Sequence, residues 1–279
     1  MELPDLSLPR YTAEGDVKDH ILEIKNIYKV FEKEGSEFLA LEDVNLKVAE
    51  GEFMCILGPT GCGKSVTLQI ASGLMEQTSG QIVLDGVEER EPGPHKGMVF
   101  QEYALLPWRN VRENVELGLE INGTPKAERR KIVKDQLSYV NLAGSEELSI
   151  HEISFGARQR VALARALANN PRILFMDEPF DSLDALTKEE MQIEILKTWH
   201  RTKKTIFFVT HDVDEAIFLS DRICVMDINP GRVKKLLVNH LPRPRHEKVR
   251  RTDEEFNLLR EEIVGLYSSL MEDELDLIV

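Results

Sequence analysis

Gly58-Pro59-Thr60-Gly61-Cys62-Gly63-Lys64-Ser65 fits the pattern G-x-x-x-x-G-K-[ST], and its flanks decide what the pattern means. Before it stands Phe53-Met54-Cys55-Ile56-Leu57, an apolar run of strand length. After it, Val66, Leu68, Ile70, Ala71 and Leu74 recur at helical spacing over Lys64–Leu74, and Gly73 and Gly80 give the stop. A strand, a glycine loop and a helix in that order form a phosphate cradle. Glycines let the backbone turn its N–H groups inward, and the helix N-terminus faces the anion. Lys64 reaches the β and γ oxygens, and Ser65 offers a hydroxyl to Mg²⁺. The expected binding stretch runs from Gly58, Pro59, Thr60, Gly61, Cys62 and Gly63 through Lys64, Ser65 and Val66.

Outward from the loop, elements alternate. Ile21–Ile27, Leu39–Val48 and Gln81–Asp85 read as strands, and Val99-Phe100 closes the first portion. Residues 111–150 read as helices, with a charged amphipathic one over Lys126–Val140. A helix follows at Ser154–Leu167, ended by Asn169-Asn170-Pro171. Then come strand Ile173–Met176, helix Lys188–His200, strand Thr205–Val209, helix Val213–Leu219 and strand Arg222–Met226. This βαβ alternation predicts an α/β fold with a mainly parallel sheet, a β-rich start and a helical insert. Residues 1–20 read as a loose arm, and Pro242-Arg243-Pro244-Arg245 breaks the chain ahead of a tail. There Thr252-Asp253-Glu254-Glu255 resembles a capping box, with Phe256, Leu259, Ile263, Leu266 and Leu270 on one helix face. The run Arg243 to Arg251 reads as a solvated linker.

Composition narrows the function. The chain has 279 residues, 35 Lys+Arg against 49 Asp+Glu, and a net charge of −14, which argues against a nucleic-acid binder with a basic footprint. Its 42% hydrophobic content is ample for one large core. No apolar run approaches the roughly 20 residues that span a bilayer. Met1-Glu2-Leu3-Pro4-Asp5 opens without a basic or apolar leader pattern, so the cytosol is the expected compartment. The 3 cysteines, Cys55, Cys62 and Cys224, make no C-x-x-C pair and suggest neither a disulfide framework nor zinc.

Arg172-Ile173-Leu174-Phe175-Met176-Asp177-Glu178 delivers two carboxylates at a strand's C-terminal end, where ligands sit in open α/β sheets. Asp177 suits the Mg²⁺ shell, and Glu178 suits a base for an attacking water.

These stretches occur in a telling order. The phosphate loop, Gln101, Ser154-Phe155-Gly156-Ala157-Arg158-Gln159-Arg160, Asp177-Glu178-Pro179, Ser182-Leu183-Asp184 and Thr210-His211-Asp212 together resemble the ATP-binding-cassette (ABC) ATPases over residues 21–240. The resemblance implies a P-loop fold of ABC type: a mainly parallel core sheet, an N-terminal antiparallel β portion, a helical insert near 102–168 and a helical tail over 241–279. It further implies that two cassettes clamp two ATP molecules head to tail, each between one chain's P-loop and the other's signature helix.

Carried over by position, Glu178, His211 and Gln101 are the catalytic candidates, with Ser65, Gln101 and Asp177 toward Mg²⁺. Phe31 falls where the family stacks an aromatic on adenine, and Ser154 and Gly156 face the partner's γ-phosphate. Ser182-Leu183-Asp184 resembles the turn that couples the two sites. The family signature is Leu-Ser-Gly-Gly-Gln or Leu-Ser-Gly-Gly-Met, whereas this chain has Ile153-Ser154-Phe155-Gly156-Ala157, with a bulky Phe155 at a glycine position.

Glu102-Tyr103-Ala104-Leu105-Leu106-Pro107-Trp108-Arg109-Asn110-Val111 and the Leu241–Arg245 stretch resemble the nitrate/sulfonate/taurine importer group. There the Leu105–Trp108 cluster would face a membrane subunit; packing within the helical insert is the alternative. The expected partners are a second ABC ATPase chain, identical or different, transmembrane permease subunits and, indirectly, a solute-binding protein. The expected place is the cytoplasmic face of the cell membrane. The alternative function is a poorly hydrolysing regulatory cassette paired with a second ATPase.

Overall fold

The structure, a computed structural model, describes residues 17, 19–33 and 35–276, so most of the arm expected at 1–20 lies outside the described residues. In chain order the strands are β1 (Leu22–Lys33), β2 (Ser36–Val48), β3 (Phe53–Leu57), β4 (Ser79–Leu84), β5 (Val87–Glu88), β6 (Lys96–Val99), β7 (Ile173–Asp177), β8 (Thr205–Thr210), β9 (Arg222–Met226) and β10 (Val233–Val238). The helices are α1 (Lys64–Ser72), α2 (Val111–Val115), α3 (Leu117–Ile121), α4 (Lys126–Tyr139), α5 (Phe155–Ala168), α6 (Ala185–Thr202), α7 (Val213–Leu219), α8 (Arg245–Lys248) and α9 (Glu254–Asp276). They fall into two compact units, Met1–Glu91 with Phe207–Val279, and Pro92–Ile206.

In the first unit, β3 is buried at all five positions, as a strand covered on both faces must be. It pairs in parallel with β9, Cys55 opposite Ile223 and Leu57 opposite Val225, within the order β10-β9-β3-β8. β10 runs antiparallel to β9 and forms the edge, carrying the exposed Lys234 and Lys235 that keep such an edge soluble. The expected antiparallel β portion is a separate sheet, β2-β1-β4-β5. It extends further than alternation alone indicates. β1 continues past Ile27 to Lys33 through register shifts near Asn26, whose φ of 45° interrupts the period of two.

The tail departs from expectation at one place. Arg243 and Arg245 are not solvated: Arg245 is 1% exposed, and its guanidinium donates to the Ser220 carbonyl at 2.5 Å. Arg243 donates to the Leu219 carbonyl at 2.7 Å and to Asp221 Oδ1 at 2.7 Å. Both guanidinium groups satisfy carbonyls left open where α7 ends, which is also where a helix favours positive charge. Proline spacing read as a linker thus marks an anchor. Beyond it α9 packs on α7, burying Phe256 and Ile263 and half-burying Leu259 and Leu266. The side chain of Leu270 lies outside the described residues.

In the second unit, β6 and β7 pair in parallel, Gly97 opposite Leu174. α5 buries Val161, Ala162, Leu163, Ala164 and Leu167, and α2 and α4 pack against it. The helices α2, α3 and α4 form the helical stretch read over 111–150. Among the described residues no helix is long and apolar enough to cross a membrane.

Candidate functional site

The two units each carry one set of the predicted residues. In the first, β3 ends at Leu57 and the chain turns through Gly58 to Gly63 into α1. Gly63 caps α1 with φ 91°, a left-handed conformation that side chains disfavour, and makes no side-chain cap bond. Glycine brings no side chain to the N-terminus of α1, and a helix N-terminus of this kind is where phosphates bind. Lys64 is 5% exposed and donates from Nζ to the Pro59 carbonyl at 2.9 Å, so the ammonium lies over the loop's own backbone. Thr67 Oγ1 donates to the Gly63 carbonyl at 3.0 Å and ties the helix to the loop.

The loop rests on Gly231, which precedes β10. Gly231 donates to the Ala40 carbonyl at 3.0 Å, and Glu42 donates back to the Gly231 carbonyl at 2.9 Å. A Cβ on Gly231 would come 3.0 Å from both the Ala40 carbonyl and Leu41 Cδ2, and closer still to the Cys62 carbonyl. Gly231→Ala should therefore push the loop off its support and destabilise the chain by about 1–3 kcal/mol, read as a lowered urea midpoint. ATP affinity, titrated on the same protein, should fall with it. An unchanged midpoint would mean that the loop has slack.

His211 directly follows β8 and is exposed. The next residue, Asp212, fixes the turn by accepting from the Glu215 N–H at 3.1 Å as the cap of α7. Its own N–H donates to Thr210 Oγ1 at 3.0 Å. Phe31 lies on β1 opposite Phe38, with the Lys29 ammonium 4.9 Å from its ring centroid.

The thiols are buried chemistry, not surface chemistry. Cys55, Cys62 and Cys224 are all buried and free of disulfides. Burial pushes the Cys55 thiol well above its usual range and Cys224 up to about 12, which keeps both protonated and inert.

In the second unit, β7 delivers Asp177 at its end, and Glu178 follows at φ 40°. A left-handed glutamate is strained, and such strain persists where surrounding structure dictates it. Here the Asp181 N–H donates to the Glu178 carbonyl at 3.3 Å and closes the turn. Gln101 Nε2 donates to Asp181 Oδ2 at 3.3 Å, a partner that the sequence does not announce. Ser154 caps α5, its Oγ accepting from the Ala157 N–H at 3.3 Å. Gly156 sits on the first turn of that helix, and Phe155 beside it is 54% exposed. Ser154, Phe155 and Gly156 face Ser182, Leu183, Asp184 and Thr187 across a cleft of about 510 Å³. Bonds from the Thr187 hydroxyl and N–H hold the Asp184 carboxyl below its usual range.

The loop after Gln101 is pinned rather than loose. Asn114, fully buried, accepts from the Leu106 N–H at 2.8 Å and donates to the carbonyls of Leu106, Arg109 and Asn110. This rigid turn presents Trp108 at 76% exposure, so the Leu105–Trp108 cluster does not bury its indole within the helical stretch.

A glycine-rich loop leading into a helix N-terminus, with a buried lysine and a serine next to it, is the chemistry of a nucleoside triphosphate site, and it defines a P-loop nucleotide-binding protein. A family model described as ABC transporter matches residues 41–181. The chain is 47% identical over 245 residues to an uncharacterised ABC transporter ATP-binding protein of Methanocaldococcus jannaschii, covering 88% of this chain and 90% of that one. It is 46% identical over 215 residues to a taurine import ATP-binding protein of Roseobacter denitrificans, covering 77% and 80%. Among solved structures, an ATP-binding cassette described as dimeric, post-hydrolysis and bound to ADP and Pi matches with TM-score 0.69 and 32% identity, over 79% of this chain and all of that one. The chain belongs to the ABC transporter family, as an ATP-binding cassette that hydrolyses ATP.

Proposed function

We propose that the chain is the ATP-hydrolysing subunit of an importer for small solutes of the nitrate, sulfonate or taurine kind. Residues 21–240 form its ATPase domain, with a helical insert near 102–168, and 241–279 form a C-terminal appendage. The observation that carries the reading is the glycine-capped start of α1 with the buried Lys64 ammonium held over the loop at the Pro59 carbonyl. The likeness to a taurine import protein supports the subclass.

In this reading the loop from Gly58 to Val66 holds the phosphates of ATP, and Phe31 takes the adenine face. Lys64 leaves the Pro59 carbonyl for the γ-phosphate, since a charged acceptor outcompetes a carbonyl. Ser65, Asp177 and Gln101 supply the hydroxyl, carboxylate and amide oxygens that suit Mg²⁺. When bound, that ion neutralises charge on the β and γ phosphates. Glu178 orients and deprotonates the attacking water, and His211 holds the γ-phosphate. Ser154 and Gly156 meet the γ-phosphate bound by a second chain, so closure requires two cassettes, and Trp108 is offered to a permease subunit at the cytoplasmic face of the membrane.

The test is Mg-ATP hydrolysis by the purified full chain beside sedimentation with ATP and with ADP. Turnover that rises faster than linearly with chain concentration, and a dimer that forms with ATP but not with ADP, is the expected result. A chain that binds ATP yet stays monomeric and idle would refute it and favour a regulatory cassette awaiting a different partner.

A further inference from the structure

Tyr103, two residues beyond Gln101, is held from three directions within the second unit. Its ring meets Phe155 edge-on, with centroids 5.5 Å apart and planes at 74°. Its hydroxyl lies 3.2 Å from Ser182 Oγ. Its carbonyl and that of Ala104 accept from the two arms of the Arg165 guanidinium, at 2.8 and 2.6 Å. Tyr103 and Ala104 have φ of 41° and 46°, a left-handed pair that residues with a Cβ rarely adopt. The pair persists because Arg165 grips both carbonyls. Burial lowers the proton affinity of that guanidinium, so the carbonyls stand in for the water it has lost.

These contacts join three segments far apart in the chain. Gln101 and Tyr103 reach the turn at Asp181 and Ser182, while the Tyr103 ring reaches the N-terminus of α5 through Phe155. Phe155 is held in turn by the Arg158 guanidinium, 5.4 Å from its ring centroid. Phosphate chemistry requires none of this. Phe155 is also where the chain departs from the family signature, and a glycine there would leave the tyrosine ring without its partner.

We infer that Tyr103 and Phe155 form an aromatic clasp that makes the Gln101–Ala104 segment, the Ser154–Gly156 turn and the Asp181–Ser182 turn move as one. Tyr103 is a positioning residue, acting on hydrolysis through the orientation of Ser154. An edge-to-face pair has a preferred geometry that two aliphatic side chains lack. A displacement of the 105–108 loop, exposed at Pro107 and Trp108, is thereby felt at the signature turn through the rings rather than along the backbone. The functional half of this inference rests on the ATPase reading above.

The experiment compares wild type with Tyr103→Leu, Phe155→Leu, the double leucine variant and Phe155→Tyr, using the full chain. Amide hydrogen exchange over residues 101–106 reads the clasp without nucleotide, and steady-state hydrolysis reads its use. Each single leucine variant should speed exchange about tenfold and lower kcat about 3- to 10-fold, with KM for ATP within about twofold. The double variant should go no further than Tyr103→Leu alone, which already loses both the ring pair and the Ser182 contact, and Phe155→Tyr, with its ring kept, should stay within about twofold of wild type. Exchange unchanged in either single variant, or losses that multiply in the double variant, would overturn the clasp. Equal effects on kcat and KM would overturn the positioning role. A wild-type chain without turnover would count against the ATPase reading, and the exchange comparison would still decide the clasp.

Discussion

Replacing Glu178 with Gln should cut the turnover of Mg-ATP by about 10²- to 10⁴-fold, the range associated with a positioned general base. Glutamine keeps the shape and one hydrogen-bond acceptor but cannot take a proton, so the loss falls on the chemical step and not on binding. Glu178 follows β7 at φ 40° with its carbonyl tied to the Asp181 N–H, and neither feature depends on the carboxylate. The fold at the turn should therefore survive, and KM should change little. If closure of two cassettes precedes hydrolysis, the variant should also accumulate as an ATP-bound dimer, visible by sedimentation where wild type has already returned to monomer. A variant that hydrolyses at more than a tenth of the wild-type rate would remove Glu178 from the reaction. Asp181, whose carboxylate already accepts from Gln101, would then be the next residue to test.

Much of the first unit was legible because its signals are local. The fully apolar β3, the glycine loop and the periodic α1 are contiguous, so neighbouring residues specify both the elements and their purpose. The limits found for α7 and β9 coincide with those read from the sequence for the same reason. What escaped was set by partners distant in the chain. β10 alternates poorly, since Lys234 and Lys235 fall together on an edge strand with one apolar partner. The beginning of β2 is exposed over its first four residues and carries no apolar period. Arg243 and Arg245 look like a solvated run until the open carbonyls of α7 are beside them.

The functional residues divide in the same way. The positions taken from ordered motifs fall at element ends: Asp177 closes β7, His211 follows β8, and Ser154 caps α5. Tyr103 and Arg165 had no such signal. A tyrosine in a loop and an arginine in an alanine-rich helix are ordinary until the left-handed carbonyls of Tyr103 and Ala104 are brought to the guanidinium. One cue was available. Arg165 interrupts an otherwise buried stretch of α5, and a long cation among alanines needs an acceptor.

The largest effect on stability should come from Glu52 and Arg222, a fully buried ion pair in the first unit. Arg222 Nε donates to Glu52 Oε1 at 2.6 Å and Nη2 to Glu52 Oε2 at 2.9 Å. The same carboxylate accepts from the Ala49 N–H at 2.7 Å, and Arg222 also donates to the Lys47 carbonyl at 2.5 Å. The pair thereby fastens the β2–β3 turn to the start of β9. Even with Arg222 in place, burial pushes the Glu52 carboxyl above its usual range. Removing one partner strands the other, so Arg222→Met or Glu52→Gln should each cost about 3–5 kcal/mol, read from urea midpoints. Their pH dependence should differ. In Arg222→Met the carboxyl is raised further, so the folded state binds more protons than the unfolded state and stability falls as pH rises above the carboxylate range. The deficit should be smaller at pH 5 than at pH 8. In Glu52→Gln the stranded group is a guanidinium that cannot shed its charge, so this site should add no pH dependence to the variant's own stability over that interval. A Glu52→Leu/Arg222→Met chain, with neither charge, should regain much of the loss. If both single variants kept midpoints near wild type, or if the Arg222→Met deficit shrank toward pH 8, the pair would not be the fastening its geometry indicates.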